Sequence, residues 1–271
     1  MTTQAVADAE GAEAEFMYAL EAGAPTPVRH ELGMVAERLA GGVVLSMRYD
    51  PAGGYWNKAL GFGISEPVTS ELIGEILRVY KANQSPVACL QLAPAVLPAD
   101  WDAICARHGI TASGTWVKLL REPTPAPTAS TDLRVARVTP TDAQAWGEVF
   151  CAGFGMPGGA LARMVAAAVD NPAFQAFGAW DADQLVAVAN LHVKDGRAAF
   201  CGAATLEPAR GRGAQTAFMA VRIEAARAAG ARVLSAETWA ERPGQHNPSL
   251  HNLRRVGFVD QYERRNWVWR A

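Results

Sequence analysis

Residues 206–216 read Leu206-Glu207-Pro208-Ala209-Arg210-Gly211-Arg212-Gly213-Ala214-Gln215-Thr216. The residues before them, Arg197–Leu206, have the apolar character of a strand. Those after, Gly213–Ala229, carry an apolar stripe at helical spacing through Met219, Ile223 and Ala226, and Gly230 is a natural stop. A helix start exposes four main-chain amides and the positive end of the helix dipole. Glycines ahead of it let the backbone approach an anion without a Cβ in the way. Arg210 and Arg212 add forked, permanently charged donors. Together these features describe a phosphate cradle, suited best to a pyrophosphate. A P-loop would need a Gly-Lys-Ser/Thr ending, and no lysine is present. A dinucleotide fingerprint would need a third glycine where Thr216 stands. A surface turn with two solvated arginines is the competing reading.

The flanks extend this strand–loop–helix unit. Leu133–Val138 is expected to be a strand, and Thr141–Phe154 and Gly159–Asp170 helices. Phe174–Trp180, Gln184–Val193 and Arg197–Leu206 read as antiparallel strands joined by Asp181-Ala182-Asp183 and Asp195-Gly196 turns. Beyond the cradle helix come a strand, Arg232–Thr238, a helix, Pro248–Val256, and a closing pair of strands through Val268. The first half repeats the later part of that plan. Strands are expected at Val43–Arg48, Tyr55–Gly61, Val87–Leu92 and Thr115–Leu120, and helices at Ser70–Ala82 and Asp100–His108. Both halves end in a helix closing on Gly (Gly109, Gly257) and a strand carrying Trp-Val (Trp116-Val117, Trp267-Val268), which reads as a duplicated unit. Alternating prolines over Glu122–Thr131 forbid a helix and mark an extended linker. The expected units are 1–122, the linker 123–131, and 132–271.

The cradle resembles motif A of the GNAT superfamily of acyl-CoA-dependent N-acyltransferases, Gln/Arg-x-x-Gly-x-Gly/Ala, with Arg210, Gly213 and Gln215 at its positions. Gln215 departs from the usual small residue. Pro248 to Phe258 resembles motif B, including its terminal Gly-Phe. The resemblance covers roughly 131–271. The first half resembles a degenerate unit whose matching turn, Gly61-Phe62-Gly63-Ile64-Ser65, has no arginine. The implied fold is α+β: two GNAT-like domains, each a mixed, mostly antiparallel sheet flanked by helices, the first without a coenzyme site. The resemblance implies acetyl-CoA as co-substrate, held by Ala204, Thr205, Leu206, Arg210, Gly211, Arg212, Gly213, Ala214, Gln215, Thr216, Ser249 and Asn252. Ala204 and Leu206 would offer main-chain groups to the pantetheine arm, between two parallel strands that splay apart.

Transfer from a thioester to an amine needs a neutral nitrogen, whereas an alkylamine is mostly protonated at pH 7. A carboxylate near the splay can act as base. Glu237, at the end of its strand, is the first candidate and Glu207 the second; a solvated strand-end acid is the alternative for each. Many GNAT members place a tyrosine in motif B four residues before its Gly; here Leu253 stands there. His246 and His251 lack a Cys or acid pattern at metal spacing, so no metal is expected. Cys201 reads as a buried apolar residue rather than an acyl carrier. Trp239, Trp267, Trp269 and Tyr262 are aromatic candidates for an acceptor pocket, core packing being the alternative. The expected activity is direct acetyl transfer to a primary amine in a ternary complex; the alternative is a catalytically silent acyl-CoA-binding regulatory module. The first half would wall the acceptor cleft or build a homodimer.

Composition narrows the partners. Of 271 residues 50% are hydrophobic and 19% charged, with a formal charge of −2, as in soluble globular proteins. Residues 1–130 carry nine basic and fourteen acidic side chains, residues 131–271 sixteen and thirteen. That small surplus beside the cradle does not suggest nucleic acid. A small-molecule or peptide amine is the expected acceptor. No apolar stretch approaches a membrane span, four widely spaced cysteines suit a reducing compartment, and the first 28 residues lack the basic start of a signal peptide. A cytoplasmic location is therefore expected.

Overall fold

The computed structural model describes residues 2–271. Its first element, α1 (Thr3–Ala22), is rich in alanine and glutamate, both strong helix formers, and Thr2 caps it by accepting from the Ala5 amide. A short helix, α2 (Thr26–Leu32), ends at Gly33 in the left-handed region. Then follow β1 (Met34–Leu39), β2 (Gly42–Met47), β3 (Lys58–Leu60), α3 (Ser70–Ala82), β4 (Val87–Gln91), α4 (Trp101–His108) and β5 (Ile110–Arg121). The second half comprises β6 (Arg134–Arg137), α5 (Ala143–Gly153), α6 (Ala160–Ala166), β7 (Phe174–Asp181), β8 (Gln184–Lys194), β9 (Arg197–Thr205), α7 (Ala214–Ala228), β10 (Val233–Trp239), α8 (Pro248–Arg255) and β11 (Val259–Arg270).

Most expected elements stand where the pattern put them. The closing pair of strands is instead one strand, β11, bulged between Asp260 and Tyr262 and between Arg265 and Trp267. β3 keeps only three residues of its expected span, α6 stops at Ala166, and β5 starts five residues early, directly after Gly109. Helices α1 and α2 and strand β1 were not expected.

Among the described residues the strands form one eleven-stranded sheet, ordered β1-β2-β3-β4-β11-β5-β10-β9-β8-β7-β6. The duplicated plan is visible in it. Each half runs an antiparallel ladder into a parallel pair bridged by a helix, β3–α3–β4 and β9–α7–β10. Each then adds a helix and a long strand. Those last strands are exchanged: β5 pairs with β10 of the second half, and β11 with β4 of the first. The boundary at 123–131 thus divides the sequence but not the sheet. The linker is docked as well, because the Arg121 guanidinium donates to the carbonyls of Glu122, Thr124 and Pro125, and the Ala126 amide donates to Glu224 of α7.

One apolar core lies under α1, α2, α5 and α6 and spans both halves; the opposite face carries one core under α7 and α8 and another under α3 and α4. Helix α1 crosses the junction, touching β2 and β3 on one side and β9 and β10 on the other. Its buried face holds Met17 and Leu20 but also Asp8, Glu10, Glu13 and Glu21. Glu21 is 1% exposed and neither carboxyl oxygen has a hydrogen-bond partner. Burial first, and the Asp50 charge second, hold its pKa well above the usual range. Because the folded pKa is raised, this group destabilises the fold increasingly as pH climbs past the ordinary glutamate range. Glu21→Met is therefore expected to stabilise the protein by about 1–3 kcal/mol in urea unfolding, with a larger gain at pH 7 than at pH 4.

Candidate functional site

Strands β9 and β10 are paired from Arg197↔Val233 to Phe200↔Ala236 and part beyond that point. β9 continues beside β8, and β10 beside β5. A bulge helps force them apart: between the Cys201↔Asn190 and Ala204↔Val188 pairs, two residues of β9, Gly202 and Ala203, oppose the single Ala189 of β8, with Gly202 at φ +56°. A Cβ on Gly202 would lie 2.3 Å from the Phe150 ring, so only glycine fits there. A cavity of about 360 Å³ runs through the gap. Met219 and Arg222 of α7 and Ser249 of α8 wall it on one face of the sheet, and Met17 of α1 and Phe150 of α5 on the other.

The cradle sits at one end of this passage, and Gln215 belongs to both. Gly213 is the N-cap of α7, at φ +84°. No amide from Gly211 to Thr216 donates to another group among the described residues. A Cβ on Gly213 would lie 2.3 Å from the Ser130 carbonyl oxygen, and Thr131 donates to the Arg212 carbonyl at 2.7 Å. The proline-rich linker therefore braces the loop from behind. Arg210 is exposed, and among the described residues its side chain makes one hydrogen bond, a long one of 3.4 Å from Nε to the Thr205 carbonyl. Arg212 differs: its guanidinium donates to both Asp132 and Asp181. These bonds, led by Asp181, raise the Arg212 pKa, and each acid is lowered in turn. Of the two arginines, only Arg210 lacks an acidic partner.

Strand parity alters the reading of the pantetheine-facing residues. The Leu206 amide donates to the Val186 carbonyl, and the Leu206 carbonyl accepts from the Ala209 amide. Ala204, two residues back on the same ladder, opposes Val188 on the same side. Both residues direct their main-chain groups toward β8. Thr205, opposite Ala187 at the alternate position, is the residue whose main chain faces the gap. Its hydroxyl accepts from Gln215 Nε2 at 2.8 Å, so that amide is tied to β9 instead of lying across the loop.

Glu237 lines the cavity one residue past the last β9–β10 pair. Its Oε2 accepts from Lys118 Nζ at 3.0 Å and Arg264 Nη2 at 2.9 Å, and among the described residues no N–H donor reaches Oε1. Behind it Glu13 also contacts Lys118 and Arg264, at 2.8 and 2.6 Å, and Glu10 contacts Arg264 at 2.7 Å. The first half supplies Glu10, Glu13 and Lys118, and the second Glu237 and Arg264. Burial first, then the Glu13 charge, push the Glu237 carboxyl up to about 7, while Arg264 and Lys118 hold Glu13 well below the usual range. Glu207 is exposed on the loop and does not line the cavity. The Cys201 thiol does, but burial pushes it up to about 12, which leaves little thiolate for an acyl-cysteine route.

Ser249 and Leu253 both line the cavity, so an apolar side chain occupies the position where the resemblance places a tyrosine. Asn252 is outside the lining, and its amide oxygen accepts from Arg255. Among the aromatic candidates only Trp239 borders the cavity. Tyr262 donates to Glu10, Trp267 packs on Trp101, and Trp269 is in the α3–α4 core. Tyr55, Trp56 and Trp116 of the first half line it instead. His246 and His251 do have an acid nearby, Glu241, five residues before the first and ten before the second. One oxygen of Glu241 accepts from the Asn247 amide at 2.5 Å and lies 2.9 Å from His251 and 3.5 Å from His246. His251 is hydrogen-bonded to that oxygen, and the His246 ring lies against His251 with centroids 4.5 Å apart.

No family model matches this sequence, and no curated protein does. Solved structures match in fold. A GCN5-related N-acetyltransferase from Sphaerobacter thermophilus aligns with a TM-score of 0.61 at 14% identity, covering 88% of this chain and 75% of that one. A GCN5-related N-acetyltransferase from Kribbella flavida gives 0.58 at 16%, covering 92% and 94%. A tandem GNAT protein from the clavulanic acid biosynthesis pathway gives 0.55 at 14%, covering 99% and 94%. At such identities the likeness is one of fold: the chain has the α+β GNAT fold in tandem.

Proposed function

We propose that this protein is an acyltransferase that moves an acetyl group from acetyl-CoA to a primary amine, directly, in a ternary complex. The observation that carries this reading is the passage through the sheet, which joins a cradle of unpaired amides to a carboxylate anchored by one oxygen only. The cradle suits the coenzyme's diphosphate: the amides of Gly211–Thr216 supply unpaired donors, Arg210 an exposed positive charge, and Ser249 a hydroxyl on the cavity wall. Thr205 offers main-chain groups to an extended arm. Acetyl-CoA brings the acyl group already activated as a thioester. Glu237 Oε1 accepts the proton that an alkylammonium must lose before its nitrogen can attack. No tyrosine is needed for departure, because a thiol near pKa 8.5 leaves readily as the thiolate. The first half forms the acceptor wall, and Tyr55, Trp56 and Trp116 favour an amine with an apolar body.

Melting with acetyl-CoA, followed by thiol release across a panel of small and peptide amines, tests this. Ligand at about 100 times its dissociation constant stabilises by about 2.7 kcal/mol. No melting shift at millimolar acetyl-CoA would overturn the reading. A shift without thiol release from any amine would favour a coenzyme-binding module that has no turnover. Within the cradle, Arg210→Ala is expected to weaken acetyl-CoA about tenfold, the loss of one charged hydrogen bond. Arg212→Ala is expected to change affinity far less, since that side chain is engaged by Asp132 and Asp181. Titration calorimetry of the pair would show the order reversed if Arg212 were the phosphate ligand.

A further inference from the structure

The cavity wall holds a cation that the acetyl-transfer chemistry leaves without a role. Arg222 is on α7, one helical turn beyond Phe218, and is 1% exposed. It donates to the Phe218 and Asn190 carbonyls, each at 3.2 Å, and its guanidinium lies 4.5 Å from the centroid of Phe200. A weak contact to the Met219 sulfur, 3.6 Å away, completes its surroundings. Among the described residues it forms no salt bridge, and the only ionisable neighbour is the Cys201 thiol, which is neutral. Lys58, 3% exposed, also lacks a salt bridge among the described residues, but the Glu13 and Glu237 charges act on it. The two fully buried cations differ sharply. Lys118 contacts Glu13 and Glu237, and Arg264 contacts Glu10, Glu13 and Glu237.

A buried charge without a counter-ion is costly, and replacing such a group with an apolar one is often neutral or stabilising. Arginine cannot escape by losing its proton at neutral pH. Of its five N–H groups, two meet carbonyls and one a sulfur, so donors remain. Phe200, which holds the guanidinium plane, is the last β9 residue paired with β10. Arg222 thus stands at the closed end of the gap, beside the residues between which the acyl group and amine would meet.

We propose that Arg222 anchors a carboxylate carried by one of the two molecules that enter this cavity. A carboxylate matches the planar fork of donors and supplies the missing negative charge. This inference deepens the acyltransferase reading and rests on it for the identity of the two molecules. The carboxylate could belong to the acyl chain, as in a dicarboxylic acyl thioester, or to the acceptor, as in an amino acid.

Matched pairs distinguish these sources. Donors are acetyl-CoA against succinyl-CoA with a fixed amine; acceptors are lysine against cadaverine and phenylalanine against phenethylamine with a fixed donor. In the wild type the carboxylate-bearing member of one arm is expected to lead by at least about tenfold in kcat/KM, the worth of a charged hydrogen-bonded pair. In Arg222→Met that ratio is expected to fall towards one, and in Arg222→Lys, which keeps the charge but not the fork, to take an intermediate value. The melting temperature of Arg222→Met is expected at or above wild type. A ratio near one in every wild-type pair, equal loss of both members in the variant, or a melting temperature well below wild type would each overturn the proposal. If no pair turns over, millimolar succinate and lysine serve as binding probes. A melting shift in wild type that vanishes in Arg222→Met supports the anchor, and no shift with either probe sinks it. The shift produced by acetyl-CoA alone reads the coenzyme site separately, so failure of one reading is distinguishable from failure of the other.

Discussion

Gly213→Asp is expected to abolish the rise in melting temperature expected of the wild type with acetyl-CoA. Two effects combine. The residue is at φ +84°, where an L side chain is strained by about 1–3 kcal/mol. Its Cβ would also lie 2.3 Å from the Ser130 carbonyl, so the loop or the linker must move. The carboxylate then stands among the amides from Gly211 to Thr216, the donors offered to a diphosphate. Gly213→Ala separates the contributions, since it has the strain and the clash but not the charge. It is expected to bind acetyl-CoA more weakly than wild type and more tightly than the aspartate variant. Calorimetry on all three proteins checks the order; an aspartate variant that bound as well as wild type would remove the cradle from the coenzyme site.

Glu237→Gln is expected to lower kcat by about 10²–10⁴-fold, the usual worth of a positioned general base. The wild-type rate should show an acidic limb with an apparent pKa near 7, because burial and the Glu13 charge push the carboxyl up to about 7. That value belongs to the Glu13–Glu237 pair, so the limb reports the pair and not one residue. The limb should vanish in Glu237→Gln, while Glu207→Gln, altered at an exposed site off the cavity, should retain it. Stability provides an independent check. A glutamate with a raised folded pKa favours the fold when protonated and loses that contribution as pH rises from its ordinary value, 4.5, to about 7. Glu237→Gln should flatten the stability curve across that window. Glu13 acts oppositely: its pKa is lowered, so its contribution is present above the ordinary glutamate range and lost as pH falls below it.

The second half could be read closely because its signals are local. The turns around Ala182 and at Asp195-Gly196 adopt the positive φ values that join β7, β8 and β9 as hairpins. The cradle was legible for the same reason, as glycines and arginines at the junction of an alternating and a helical pattern. Helix α1 carries no such local signal: its buried positions hold Glu10, Glu13 and Glu21 beside Met17 and Leu20, so the apolar period is broken where the helix faces the core. The residue whose main chain faces the gap, Thr205, stands one position from Ala204 and Leu206, which the resemblance implies. Strand alternation has a period of two, and sequence does not say which parity faces the gap until the bulge at Gly202 and the Leu206–Val186 bond are known.

The amino-acid order alone determined most of the elements and the turns between β7, β8 and β9, that two similar units follow one another, and that a helix start with glycines could hold an anion. Those properties depend on dihedral preferences and on neighbours a few residues away. Tertiary structure decided the rest. It exchanged β5 and β11 between halves, placed Glu10 beside Arg264, 254 residues along the chain, and, among the described residues, left Arg222 without a carboxylate. Such pairings follow from which charges are buried together, and that depends on how the sheet is closed rather than on any local pattern.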